Sequence, residues 1–341
     1  MRVALILNPL TADNPHEIDR LNADRRQQVT ELIAETLLTA GHEVMHLDVT
    51  PDLSILIKRL RDNRPEAVFY QSVRTDPAQP LGTVPALLER LRLPYTGSAP
   101  AVCRAAQDKR ITKQLLTAAG LRTPKFVVLK YSQKANIRNL PPYPLFVKPL
   151  MGGCSIGIPD RNPVHSEPEL RAALKAVNHE SRQPALVETY LGGREFTVGI
   201  LGNQPPSVLP VMEYLFKEGV EGFRSFSGKT SSGQYEIQVC PAVLTEEEKN
   251  VLECMALEVY RVIGCRDYAR VDVRCDRHSL PYVLEVNAHP SLLPSSSLPR
   301  MAAVAGYSYQ SLLETILKAA LARYGIANAG RSESAGNALA I

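Results

Sequence analysis

The sequence predicts an α/β chain that opens in a parallel sheet covered by helices and continues into α+β units with antiparallel strands. Three observations carry this expectation. Residues 2–71 alternate short apolar runs with helical spacing; Lys148 ends an apolar run directly before a glycine-containing loop; and residues 268–287 read as a hairpin with charged side chains on one face.

RVALIL, at residues 2–7, is a short apolar run ending at Asn8 and Pro9, the mark of a buried parallel strand feeding a loop. Residues 24–40 carry apolar side chains at helical spacing, and Gly41 supplies the stop. EVMHLDV, a helix at residues 53–61 and AVFYQ complete a β-α-β-α-β order, which implies an open sheet with helices on both faces. No G-x-G-x-x-G follows the first strand, so a dinucleotide-dependent oxidoreductase loses its main support.

A strand and turn at residues 93–97 lead into one helix that contains Asp108, Lys109 and Lys113 and stops before Gly120. Lys109 and Lys113 are four apart and share a face, a stripe that is more often solvated than buried. After the strand KFVVLK and a proline-rich connector comes LFVKP, in which Lys148 stands just before Gly152, Gly153, Ser155 and Gly157. Exposed loop N–H groups beside a lysine can cover a triphosphate; a glycine turn between two strands is the plainer alternative.

Beyond a polar helical stretch at residues 166–179, Glu188 ends a short apolar strand, and the chain turns at Leu191, Gly192 and Gly193 into REFTVGILG. PSVLPVMEY and YEIQVCPA bracket a polar segment, residues 216–233, that holds Arg224, Lys229 and four serines and is long enough to close over a site. Thr245 and Glu248 form a capping-box start for a helix that Gly264 ends.

In the hairpin, Arg270 and Asp272 point to one face while Val271 and Val273 point to the other. A polar turn follows, and YVLEVN repeats the pattern with Glu285 and Asn287. Pairing the two runs gathers three oxygen donors and one guanidinium on one patch. Hard oxygen donors with no adjacent His or Cys suit Mg²⁺, although charges two apart also mark the wet face of any half-buried hairpin. An amphipathic helix at residues 308–324 follows, and residues 325–341 are expected to be a disordered tail.

With 341 residues, 45% of them hydrophobic, the chain can bury the cores of two or three domains. A net charge of +4 without basic runs argues against nucleic acid as a partner. Neither a membrane span nor a leader is evident, so a soluble, cytoplasmic protein is expected. The six cysteines show no C-x-x-C spacing and the histidines no H-E-x-x-H, which disfavours structural zinc and a disulfide framework.

The order YTGS, DK-x-x-TK, FVKP-x-x-x-G-x-S-x-G, VE-x-Y-x-G-G-REFTV, ARVDV and LEVN-x-x-P resembles the D-alanine–D-alanine ligase branch of the ATP-grasp fold, over about residues 95–324. The resemblance implies an N-terminal Rossmann-like, pre-ATP-grasp domain (1–95), a central ATP-grasp subdomain (96–184) and a C-terminal subdomain with the metal site (185–324). It implies ATP-dependent activation of a carboxylate as an acyl phosphate, which an amine then attacks. Lys109, Lys148 and the loop with Gly153, Ser155 and Gly157 would hold the phosphates. Glu188 and the backbone near Leu191 would read adenine, Glu195 would hold ribose, and Lys229 would reach the γ-phosphate when its segment closes. Asp272, Glu285 and Asn287 would hold two Mg²⁺, with Mn²⁺ as a substitute. Arg270 and the N–H of Ser291 would stabilise the acyl phosphate and oxyanion, and Ser296 would receive the incoming amino acid. A homodimer is implied on the same ground.

Almost all departures from the family's pattern fall on the first-substrate side. Glu17 stands at the wrong spacing for the family's amine-holding glutamate, Arg74 and Asp76 replace a Gly-Glu pair, Cys154 replaces a serine, Thr230 replaces a tyrosine, and N-T-x-P-G reads Asn287, Ala288, His289, Pro290, Ser291. These changes suggest a ligase that keeps the mechanism but joins an amino acid to an acid other than D-alanine, as natural-product ligases of the mycosporine type do, with Arg74 and Glu17 as substrate contacts. D-Alanine–D-alanine ligation proper and a non-catalytic ATP-binding protein are the alternatives. His289 reads as a structural histidine more readily than as a substrate contact.

Overall fold

The computed structural model describes every residue except 8–16, 50–51, 72–80, 132–136, 138, 153–156, 160, 217–235 and 327–341, and gives the backbone alone for residues 7, 17–26 and 236. Strands β1 (Arg2–Leu7), β2 (Glu43–Asp48) and β3 (Ala67–Tyr70) form a parallel sheet in the order β2-β1-β3. Helix α1 (Glu17–Thr39) lies on one face and α2 (Leu53–Asn63) and α3 (Thr83–Arg90) on the other. The two-residue period of a strand explains this split. Val3 and Leu5 join Ile33 and Leu37 in one core, whereas Ala4 and Ile6 join Leu56, Leu60 and Leu88 in another. Helix α1 starts seven residues before the apolar spacing indicated, and α3 had no sequence expectation.

The long helix expected around Lys109 is two helices, α4 (Pro100–Gln107) and α5 (Lys109–Ala118). Asp108 breaks it. Its backbone is extended and bridges to Met151, while its carboxylate accepts from the N–H groups of Arg110 (2.9 Å) and Ile111 (3.3 Å) as the N-cap of α5. The break seats Lys109 against the chain just before the glycine-containing loop, with its N–H on the carbonyl of Leu150.

Two antiparallel sheets follow. The smaller has the order β4-β6-β5, formed by Phe126–Leu129, Ala185–Thr189 and Leu145–Pro149. Helix α6 (Glu167–Ser181) covers the face that carries Leu145, Val147, Ala185 and Val187. Alternation turns Lys148 and Glu188 to the opposite face.

The larger sheet has the order β10-β9-β7-β11-β12, with β8 (Ser207–Val208) pairing β7. Its path runs through Glu236–Val239, Met212–Phe216, Glu195–Leu201, Tyr268–Cys275 and Pro281–Asn287. PSVLPVMEY therefore forms two strands, interrupted near Pro210. Helix α7 (Glu246–Ile263), with the capping box expected of Thr245 and Glu248, packs on Phe196, Val198, Val271 and Val273. The intervening Glu195, Thr197, Arg270, Asp272 and Arg274 face the other way, so both sheets keep an apolar face for a helix and a charged face for a cleft.

Helix α8 (Ser297–Val304) follows the serine run, and α9 (Tyr309–Arg323) closes the fold beside α1. At this junction the buried Asp267 receives Arg323 in a bidentate pair (2.9 and 2.8 Å) and the N–H of Gly97 (2.7 Å), tying the end of the first sheet's unit to β11. Among the described residues no helix is long and apolar enough to cross a membrane.

Candidate functional site

On the small sheet, Glu188 stands between two ammonium groups: Lys148 Nζ is 2.6 Å from one carboxylate oxygen and Lys113 Nζ 2.7 Å from the other. All three residues are buried. Burial works against the Glu188 anion, but the two lysines outweigh it and hold the carboxyl below its ordinary range. Burial likewise opposes the charge of Lys148, yet Glu188, Glu285 and Glu195 together keep its pKa above the usual lysine value. For Lys113 burial outweighs the pull of Glu188, which it shares with Lys148, and lowers its pKa to about 8. Lys109 is lowered to about 8 by burial as well, against the pull of Glu285, and donates to the carbonyl of Gly152 at 2.7 Å.

The hairpin forms as expected. Arg270 pairs with Asn287 and Asp272 with Glu285 across β11 and β12, with a register shift after Asp272. The guanidinium of Arg270 grips Asp272 at 2.9 and 2.8 Å, and Thr197 donates to the same carboxylate at 2.6 Å. Burial disfavours the Arg270 cation, but Asp272 outweighs it and raises its pKa. The Glu285 charge acts on Lys109, Lys113 and Lys148, and Thr123, which accepts from Lys113 Nζ, donates to the carbonyl of Val283 on β12, so the lysine cluster lies close to the acidic hairpin.

Two carboxylates and the Asn287 amide on neighbouring strands form a hard oxygen donor set, and each carboxylate oxygen can accept more than once. The residues therefore fit Mg²⁺. Asn287 Oδ1 also accepts from the N–H of His289 at 3.1 Å, which shapes the following turn. In that turn Ser296 donates to Ser291 Oγ at 3.0 Å, bringing these two expected substrate groups together at the start of α8. Gln71, at the end of β3, donates to the carbonyl of Pro290 at 3.4 Å, so the first sheet meets the same turn.

His289 packs among aromatic rings. Its ring meets Tyr70 and Tyr268 edge-on, Nδ1 lies 3.8 Å from Cys103 Sγ, and burial pushes its pKa down to about 4. Leu191 is buried at the turn after β6. Glu195 is also buried and pairs with Arg274 at 3.0 Å; the Arg274 guanidinium lies over the rings of Tyr190 and Phe216. Gly157 is described, whereas Gly153, Ser155, Arg74, Lys229 and the side chain of Glu17 lie outside the described residues.

Three site residues escaped the sequence reading. Lys113 was legible only as one of a pair on a helix face expected to be solvated; it is instead fully buried. Arg274 continues the two-residue period of Arg270 and Asp272, a signal that was available. Thr197 carried none. Glu188, expected to accept from adenine, is the shared counter-ion of two lysines.

A family model described as "D-ala D-ala ligase C-terminus" matches residues 115–318. A D-alanine–D-alanine ligase of Syntrophotalea carbinolica is 36% identical over 89% of this chain and 94% of its own length. The protein y4sG of Sinorhizobium fredii, which has no assigned role, is 32% identical over 87% of this chain and 88% of its own. A crystal structure of a Bacillus anthracis D-alanine–D-alanine ligase complexed with ATP shares the fold, with a TM-score of 0.75 over 95% of this chain and 99% of that one at 24% identity.

Proposed function

Because the chain belongs to the D-alanine–D-alanine ligase family of ATP-grasp enzymes, we propose that it joins two D-alanine molecules at the cleft between the small and large sheets. It is an ATP-dependent carboxylate–amine ligase that forms a C–N bond, and its substrates are small molecules. The observation that carries the site assignment is the nearness of Lys109 and Lys148 to Glu285, which itself pairs with Asp272 across β11 and β12. Attack of a carboxylate on ATP brings anions together, and this arrangement supplies cations on one wall and metal donors on the other.

In this reading Lys109, Lys148 and the glycine-containing loop of residues 152–157 bind the phosphates. Leu191 and Glu188 border the adenine, and Glu195, oriented by Arg274, holds the ribose. Asp272, Glu285 and Asn287 would hold Mg²⁺, which when bound neutralises phosphate charge; two ions and exchange for Mn²⁺ belong to the proposal. Arg270 stabilises the acyl phosphate and the oxyanion that follows. Ser291 and Ser296 orient the incoming amino acid, and Lys229 acts from residues 217–235. The domain boundaries at 95 and 184 and a homodimer complete the reading.

D-Alanine now stands ahead of the acid other than D-alanine that the N-terminal departures suggested. Relatives named for D-alanine ligation align along nearly the whole chain. The departures at Glu17, Arg74, Asp76, Cys154 and Thr230 give no geometry to set against that similarity, because these positions lie outside the described residues or, for Glu17, lack a described side chain. Incubation with ATP, Mg²⁺ and pooled D- and L-amino acids decides between them. D-Alanyl-D-alanine as the main product by mass supports the proposal, and a condensed product without D-alanine restores the earlier expectation.

The lysine chemistry sets a pH dependence. Only the protonated form of Lys109 attracts phosphate, and its pKa is about 8 before nucleotide binds. The KM for ATP should therefore climb above that pH, by up to about tenfold per unit, while a Lys109→Met variant shows a high KM and a flatter profile.

A further inference from the structure

Lys113 is the residue the proposed mechanism leaves without a task. It lies inside helix α5 with no exposure, and burying an ammonium group there costs free energy that an apolar side chain of similar length would avoid. What surrounds it is a continuous run of polar contacts. Its Nζ is 2.7 Å from Glu188 and donates to Thr123 Oγ1 at 2.7 Å. Thr123 in turn donates to the carbonyl of Val283 at 2.9 Å, two residues before Glu285 on β12. On the other side, the second oxygen of Glu188 meets Lys148 at 2.6 Å.

We propose that Lys113 is a positioning residue for the nucleotide-binding lysine Lys148, acting through the carboxylate they share and through Thr123 to the strand that bears Glu285. Two consequences follow from the geometry. With each oxygen of Glu188 beside one lysine, rotation of the carboxylate is restrained, and with it the place of the Lys148 ammonium relative to β12. Because one negative charge is divided between two ammonium groups, Glu188 alone does not neutralise Lys148, and Lys113 leaves more positive charge to face phosphate than Lys148 would keep by itself. Without Lys113 the Glu188–Lys148 pair would close on itself and attract nucleotide less.

This inference rests on the ATP-binding role proposed for the cleft, and the test separates the two. ATP affinity in the presence of Mg²⁺ is measured by calorimetry for the parent chain, Lys113→Met, Thr123→Val and the exposed control Lys175→Met, together with each melting temperature. Lys113→Met leaves Glu188 paired with Lys148, so its melting temperature should stay level or rise while ATP binding weakens about tenfold. A purely structural lysine would give the reverse, a lower melting temperature with unchanged affinity in the folded protein. Thr123→Val should weaken binding less, about threefold, and Lys175→Met not at all. If Lys113→Met binds ATP as tightly as the parent, the positioning role is overturned. If the parent itself binds no ATP, the cleft assignment fails first, and the role falls with it.

Discussion

A Glu285→Ala variant is expected to release ADP roughly a thousandfold more slowly than the parent chain, the order of effect when a group that stabilises charge in the transition state is removed. Glu285 lies directly opposite Asp272 in the β11–β12 pairing and acts on all three lysines, so it links the proposed metal donors to the proposed phosphate-binding lysines. It is only partly buried, and its loss leaves the unfolding midpoint nearly unchanged. Steady-state ADP release and a Mg²⁺ titration check this together. Glu285→Asp should retain measurable turnover and need a higher Mg²⁺ concentration, because the donor is kept but drawn back. ADP release by Glu285→Ala near the parent rate would remove the residue from the mechanism.

Glu188→Gln is expected to cost about 3–5 kcal/mol of stability, since it leaves two buried ammonium groups around a neutral amide. The loss should depend on pH with a definite sign. A lysine whose pKa in the folded chain lies below its unfolded value of about 10.4 releases a proton on folding. The unfolded chain then holds more protons through that interval, and stability rises with pH there. In the parent this interval for Lys113 begins at about 8. Removing Glu188 takes away a charge that raises the pKa of Lys113 and of Lys148, so the interval starts lower and the variant regains stability as pH increases. Urea unfolding midpoints at several pH values measure this. A deficit that stays constant or deepens with rising pH would contradict the account.

The parts of this site that strands present were legible in the sequence. Arg270, Asp272, Glu285 and Asn287 could be assigned to one face because a strand alternates its side chains and two apolar runs joined by a polar turn pair in register. Lys148 was legible for the same reason, as the charge that ends an apolar run. The helical parts were not. Apolar spacing continues smoothly through Asp108, and the break there rests on the bridge to Met151 together with the Asp108 carboxylate capping α5. A lysine at position 113 follows the pattern of a wet helix face until Glu188, seventy-five positions further along (188 − 113), is folded against it. Such a charge partner is a tertiary fact that local periodicity does not carry. The short helix α8 was hidden in the same way, behind a serine run that reads as a turn.

The most direct measurement follows heavy oxygen from substrate to product. D-Alanine labelled with heavy oxygen in its carboxylate is turned over with unlabelled ATP and Mg²⁺, and the released phosphate is weighed by mass spectrometry. Transfer of the γ-phosphoryl group to the carboxylate, followed by attack of the second amine on the carbonyl carbon, places one labelled oxygen in each phosphate that accompanies a dipeptide. Unlabelled phosphate released alongside dipeptide would contradict an acyl phosphate formed in the cleft between Lys148 and Glu285.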